Sequence, residues 1–160
     1  MKSILKKYIF KFVIIIFIIN IHLLIISCSK EPKQIEFGKD VCAHCEMTIA
    51  DTKWGAELMT EKGKVYKFDS IECLAAFYLD EILKKGIKTQ YLLTIDYSHP
   101  GEFIDATKAI YLISPEFHSP MKLDAGSFKN MEELNIFKKN NNYEILNWDL
   151  ILNKVKKNWM

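Results

Sequence analysis

The sequence has no large excess of either charge sign: 22 Lys plus Arg stand against 20 Asp plus Glu, a net of +2. A chain that grips nucleic acid through its phosphates needs a strong basic surplus, so nothing here points to that class of partner. Cysteine is scarce, four residues in 160. The Cys-x-x-Cys at Cys42-Ala43-His44-Cys45 has no second copy, and no two histidines stand at ligand spacing. A structural zinc site built from two local pairs is therefore not encoded. Zinc stays open only if His44, His99 or His118 joins the cysteines from a distance. No βαβ pattern surrounds the motif either. Thioredoxin-like proteins carry it at a helix start after a strand, whereas here it precedes a hairpin pattern.

What the chain does have begins at its N-terminus. Lys2, Lys6, Lys7 and Lys11 make a basic start, residues 12–19 are wholly apolar, and the run ends in Ile25-Ile26-Ser27-Cys28. A basic start, an apolar core and small residues at a cut site mark a secretory signal over residues 1–27. The Ile-Ile-Ser-Cys ending is similar to a bacterial lipobox, with cleavage before Cys28 and a lipid on its sulfur. A permanent transmembrane helix is the rival, since about 20 apolar residues can span a bilayer. The cysteine after the small residue separates the two. Loss of the signal removes four Lys and no acid, leaving 18 against 20, or −2, over 133 residues. That length suits one compact domain or two small lobes.

Residues 28–36 have little to bury and read as a lipidated tether. The domain over 37–157 divides into two similar halves, about 37–86 and 87–157. Phe68, Glu72, Leu74 and Phe77 recur as Phe128, Glu132, Leu134 and Phe137 at a constant offset of 60. In the first half, residues 54–60 and 64–68 have strand character around Glu61-Lys62-Gly63, a hairpin turn. Asp69 or Ser70 can cap the helix that follows. Its apolar face is Ile71, Leu74, Ala75, Tyr78 and Ile82, and Gly86 ends it. In the second half, residues 109–114 form the clear strand and 122–128 a weaker one. Asn130 caps a helix that 140–142 ends, and a last strand over 143–146 leads into a helix from about Asn147. Residues 91–96 link the halves and join a sheet. The fold class is α+β, two strand-strand-helix lobes.

The chemistry concentrates at Cys42-Ala43-His44-Cys45-Glu46-Met47. Soft thiolate and thioether ligands select Cu(I). In an extended chain, side chains two apart share a face, so Cys45 and Met47 pair. Cys42 points elsewhere unless the chain turns, and a third ligand must come from afar. Other readings stay open: a redox dithiol of Cys42 and Cys45, or a disulfide between them or from either to Cys73. With Cys28 set aside, three cysteines remain, so at least one is unpaired within the chain.

A series of ordered motifs then carries a resemblance. Cys42-x-x-Cys45-x-Met47 is followed by Ile49-Ala50-Asp51, Ala56-Glu57-Leu58 and Phe68-Asp69-Ser70-Ile71-Glu72-Cys73-Leu74. Asp105-Ala106-Thr107-Lys108-Ala109 and Ser119-Pro120-Met121 come after. Together these resemble the NosL family, copper-binding accessory lipoproteins of nitrous oxide reductase maturation, from about Val41 to Trp148. The resemblance implies a Cu(I) site and a carrier rather than an enzyme. It implies delivery of copper to the reductase in the cell envelope, facing the periplasm, and a two-lobed fold similar to part of organomercurial lyase. Carried over by motif, the ligands are Cys45, Met47 and Met121, with Cys42 and His118 as further candidates. The chain departs from the family pattern where it has Glu46 and Lys122 in place of Gly, and Ser70 in place of Asp.

Cys73 reads as a small buried hydrophobe in its helix, His44 and His118 as exposed, and Asp51 as a turn residue. Trp54, Trp148 and the Phe and Tyr residues read as core. Two enzyme readings compete with the carrier. One is a thiol-disulfide oxidoreductase on Cys42 and Cys45. The other is a mercury–carbon lyase relative, which needs paired cysteines and an acid in one pocket; Cys45, Cys73 and Asp69 fit that role only if forced. Fourteen residues separate Cys28 from Cys42, a reach of at most roughly 45 Å at about 3.3 Å per residue. The lipid expectation is checked by mass spectrometry of the native protein. A lipid-bearing N-terminal Cys28 is expected, and an intact Met1 sinks the idea.

Overall fold

Two antiparallel sheets carry the chain, in a computed structural model that describes residues 31–139 and 141–159, with Lys11 upstream of them. The signal, the lipid site at Cys28 and the first part of the tether lie outside the described residues. The first sheet has the order β2-β1-β3-β4, with β1 Ala56–Thr60, β2 Val65–Phe68, β3 Thr89–Ile95 and β4 Phe103–Asp105. The second has the order β6-β5-β7, with β5 Ile110–Ile113, β6 Ala125–Phe128 and β7 Glu144–Leu146. Helix α1, Ile71–Phe77, runs on into a π-helical turn over Tyr78–Leu83; α2 is Met131–Ile136 and α3 is Trp148–Trp159. Residues from Pro32 onward form one compact unit. Among the described residues no helix is long and apolar enough to cross a membrane.

The expected hairpin forms, with Ala56 opposite Phe68 and Met59 opposite Val65. Its turn closes through Gly63, whose N–H donates to the Thr60 carbonyl at 2.8 Å at a φ of +81°. Glycine reaches that left-handed region without steric cost. β1 is buried along its whole length because β2 and β3 flank it on both edges. The first sheet thus takes in β3 and β4, and the two sheets meet after Asp105 rather than at residue 87.

Ser70, not Asp69, caps α1: its side chain accepts from the Cys73 N–H. Every residue of α1 is buried, and Gly86, at φ +62°, ends the π turn. Asn130 caps α2 in the same way, accepting from Glu133 N–H at 2.9 Å. The 60-residue repeat is therefore a strand leading into a capped helix in both halves. Phe68, Phe128, Leu74 and Leu134 are fully buried. α2 stops at Ile136, short of the expected end at 140–142. Phe137 leaves the helix to pack its ring 5.3 Å from both Tyr97 and Phe128, and that aromatic burial competes with another helical turn.

One core unites the halves. Leu74, Phe77, Tyr111, Leu146, Trp148 and Ile151 belong to a single buried cluster, and α3 reaches the π turn that continues α1 through Trp148, whose ring lies 5.8 Å from Tyr78. The second half of the expected tether is part of this body. Lys33 N–H donates to Glu57 Oε1 at 2.9 Å, and Ile35 is buried. Gly55, at φ +139°, makes room for it, because a Cβ there would meet Ile35 Cδ1 at 2.9 Å.

Three non-glycine residues hold positive φ: Glu46 at 62°, Lys122 at 64° and Asp124 at 56°. Two of them, Glu46 and Lys122, are the positions where the family pattern carries glycine. An L-residue pays about 1–2 kcal/mol in this region, offset partly by the unfolded-state freedom glycine gains. Glu46→Gly and Lys122→Gly should each raise the unfolding free energy by about 1 kcal/mol in urea titrations. A loss of stability in both would contradict this backbone account.

Candidate metal centre

The segment 42–47 is a tight hairpin and not an extended strand. Cys42 N–H donates to the Met47 carbonyl at 2.8 Å, Glu46 N–H to the Cys42 carbonyl at 3.1 Å, and Val41 bridges Thr48. The left-handed Glu46 makes the reversal. Ala43 N–H donates to the Lys67 carbonyl at 2.8 Å, docking the hairpin on the end of β2. That end leads through Phe68 and Asp69 into the first turn of α1. The turn brings Cys42 and Cys45 together, the arrangement the sequence left open for a chain that turns rather than runs extended.

Four ligand atoms converge: the sulfurs of Cys42, Cys45 and Cys73 and a carboxylate oxygen of Asp69, all within 4.8 Å of one another. Cys73 is buried as expected, yet it belongs to the site. Cys42 and Cys73 are 1% and 0% exposed, whereas Cys45 is half-buried. Cys45 Sγ donates to Asp69 Oδ2 at 3.3 Å, and Asp69 Oδ1 is buried without a partner. The acid expected as an alternative helix cap thus turns its carboxylate to the thiols.

The thiols share their protons unequally. A hydrogen bond from the Cys73 thiol, helped by backbone N–H groups, pulls Cys42 down to about 6 against its burial. Burial and the neighbouring Cys42 push Cys45 up to about 12. Cys73 is raised through its hydrogen bond to Cys42 and its burial. Of the three thiols, Cys42 is thus the one favoured to ionise first in the metal-free cluster. A soft cation would draw the remaining protons off, since thiolates and not thiols ligate metal. The orphaned Asp69 oxygen and the three sulfurs fit a cation, and the sulfur donors favour a soft one.

The other candidates differ in exposure. Met47 is 44% exposed on the outgoing arm of the hairpin, and His44 and His118 are exposed. Met121 is half-buried and packs, like Cys45, against the hydrophobic cluster that contains Cys42 and Cys73. His99 stands elsewhere: its Nδ1 lies 3.6 Å from Asp96 and 3.9 Å from Glu133. Among the described residues no histidine joins the cysteines, which removes the observation a mixed zinc site needs. Asp51 accepts from Lys53 N–H at 2.9 Å, a turn role as expected. Sequence reasoning set Asp69 beside Cys45 and Cys73 only in the lyase reading, and otherwise read Asp69 as a cap and Cys73 as a buried hydrophobe. The usable signal was their position at the start of α1, directly after β2.

An α+β scaffold with three thiols and a carboxylate gathered where a hairpin meets a helix start defines a candidate soft-metal protein. The chain belongs to the NosL family, whose family model matches residues 33–155. A search of curated proteins gives no match. Among solved structures it shares its fold with the copper chaperone NosL from Shewanella denitrificans. The TM-score is 0.61 at 23% identity, over 76% of this chain and 95% of that one.

The proton distribution is testable in the reduced, metal-free protein. One thiolate should appear with a midpoint at about 6 in ultraviolet absorbance against pH, and Cys42→Ser should abolish it. A first midpoint at the ordinary 9.0 would overturn the assignment.

Proposed function

We propose that this chain is a Cu(I) metallochaperone, lipid-anchored through Cys28 outside the cytoplasm, that supplies copper to maturing nitrous oxide reductase. The observation that carries it is the depth profile of the sulfurs: two sealed, Cys42 and Cys73, under one half-open, Cys45, with Met47 exposed beside it. Membership in the NosL family and a fold shared with a copper chaperone support the same reading.

In this reading Cys45, Met47 and Met121 hold the ion at the surface and Cys42 supplies a thiolate beneath. Cu(I) binding displaces the Cys45 proton, and Asp69 Oδ2, already its hydrogen-bond acceptor, is placed to receive it. Thioethers bind Cu(I) without carrying charge. An acceptor can therefore replace Met47 and Met121 one at a time while Cys45 keeps hold, so the ion is never bare. The short span from Cys28 keeps the site near a membrane, in the compartment where an exported reductase is loaded.

The lyase reading gains one observation, because Cys42, Cys45, Cys73 and Asp69 do come together. Yet mercury–carbon cleavage needs two sulfurs on one substrate, and only Cys45 reaches solvent. The oxidoreductase reading meets the same obstacle, since Cys42 is 1% exposed. Carrier function thus fits the burial better than either enzyme.

Reduced protein covering 29–160 is to be titrated with Cu(I) against a competing chelator. Met47→Ala and Met121→Ala should each weaken binding by about tenfold or more, as loss of a metal-site contact does, and Cys45→Ser more strongly. Equal binding by all four proteins would remove the site. Cells lacking the protein should lose nitrous oxide reduction at limiting copper; normal activity there would leave only a general copper-handling role. Release of mercury from an aryl-mercury compound would favour the lyase instead.

A further inference from the structure

Glu72 is fully buried on α1, next to Cys73. Its Oε1 accepts from the Leu123 N–H at 3.1 Å and from the Ser119 hydroxyl. Both donors come from the segment 119–124, about fifty residues away in sequence. A buried carboxylate is costly unless it is hydrogen-bonded, and here the second oxygen has no partner. Simple packing does not call for a carboxylate at this position.

The segment it grips is a closed loop. Ser119 N–H donates to Asp124 Oδ1 at 3.0 Å, Asp124 N–H donates to Ser119 Oγ at 2.9 Å, and Lys122 N–H donates to the Ser119 carbonyl at 3.0 Å. Lys122 and Asp124 both hold left-handed backbone in it. Such a conformation persists only when its surroundings over-determine it. Met121 lies midway between the two residues fastened to Glu72, half-buried against the main hydrophobic core.

We infer that Glu72 is a positioning residue, a buried strut that ties the loop of Met121 to the helix of Cys73 and so holds the thioether at the thiol cluster. This rests on the reading of Met121 as a Cu(I) ligand. The strut couples two segments that no strand pairing joins, and it fixes the distance between the surface thioether and the helix-borne thiol. Outer partners that orient a ligand commonly affect metal affinity nearly as much as the ligand does.

The test is a double-mutant cycle on reduced protein, read by chelator competition, by the sulfur count in copper X-ray absorption, and by the unfolding midpoint. Glu72→Ala should weaken Cu(I) binding by about tenfold, in line with outer-shell losses, and remove one sulfur from the copper. Glu72→Gln keeps an acceptor oxygen and should restore both. In a Met121→Leu background, Glu72→Ala should have no further effect on affinity. If Glu72→Ala fails to fold, Ser119→Ala removes one strand of the strut and should show a smaller loss in the same direction. Equal losses with and without Met121 would reduce Glu72 to a structural role and overturn the proposal. So would an unchanged affinity in Glu72→Ala while Met121→Leu weakens binding. If Met121→Leu itself binds normally, the ligand reading fails, and the strut with it.

Discussion

The hydrogen bond from Ala43 N–H to the Lys67 carbonyl holds the cysteine hairpin against the strand that feeds α1. It joins the edge of the first sheet to a segment that has no other ladder. Three consequences follow from that docking. Cys45 comes within reach of Asp69, Cys42 is sealed over Cys73, and Met47 is left on the outer arm. Undocked, the hairpin would carry two cysteines and a methionine with no fixed relation to the third sulfur. The nearby Lys67–Asp40 pair at 2.6 Å braces the same corner. It is partly buried, so it is screened less than the exposed pairs on α3 and the π turn, which contribute little.

Buried carboxylates recur as connectors between distant segments. Glu57, fully buried in β1, accepts from Tyr91 Oη at 2.6 Å and from Lys33 N–H, and so holds the chain entering the domain. Asp69 faces the thiols, and Glu72 grips the 119–124 loop. Each has one oxygen bonded and the other buried without a partner. Burial raises Glu72 above the usual carboxylate range, while Ser119 and the Leu123 N–H oppose that. Such groups cost stability in a small domain but specify which segments meet. The segments they join are the ones that frame the sulfur cluster.

In the proposed reading, the sulfur arrangement separates storage from exchange. Cys42, the thiol pulled lowest by its neighbour Cys73 and by peptide N–H groups, is sealed from solvent. The half-open Cys45 keeps its proton until a metal displaces it. In that reading Met47 and Met121 add soft donors without charge. This ordering suits an ion that must be held firmly and given up only to a protein presenting its own ligands.

Much of the local structure was legible in the chain. Polar residues before apolar helical faces located the caps at Asn130 and at Asp69 or Ser70, and the 60-residue repeat located two strand–helix units. Glycine at 63 and 86 marked the turn and the helix end, because backbone sterics act locally. Cys45 and Met47 stood out because soft ligands are rare and close together. The convergence was not legible. A three-residue cysteine spacing has no direction until the turn at Glu46 gives it one, and the departures from glycine at 46 and 122 concealed two left-handed positions. Cys73 resembled any small buried residue, and Asp69 resembled a cap. Sequence alone determined most of the elements and the presence of closely spaced sulfur donors, since both depend on near neighbours. Only the tertiary structure decided which sulfur faces solvent, which acid faces sulfur, and which carboxylate holds the Met121 loop, because those depend on contacts between segments 24 to 51 residues apart.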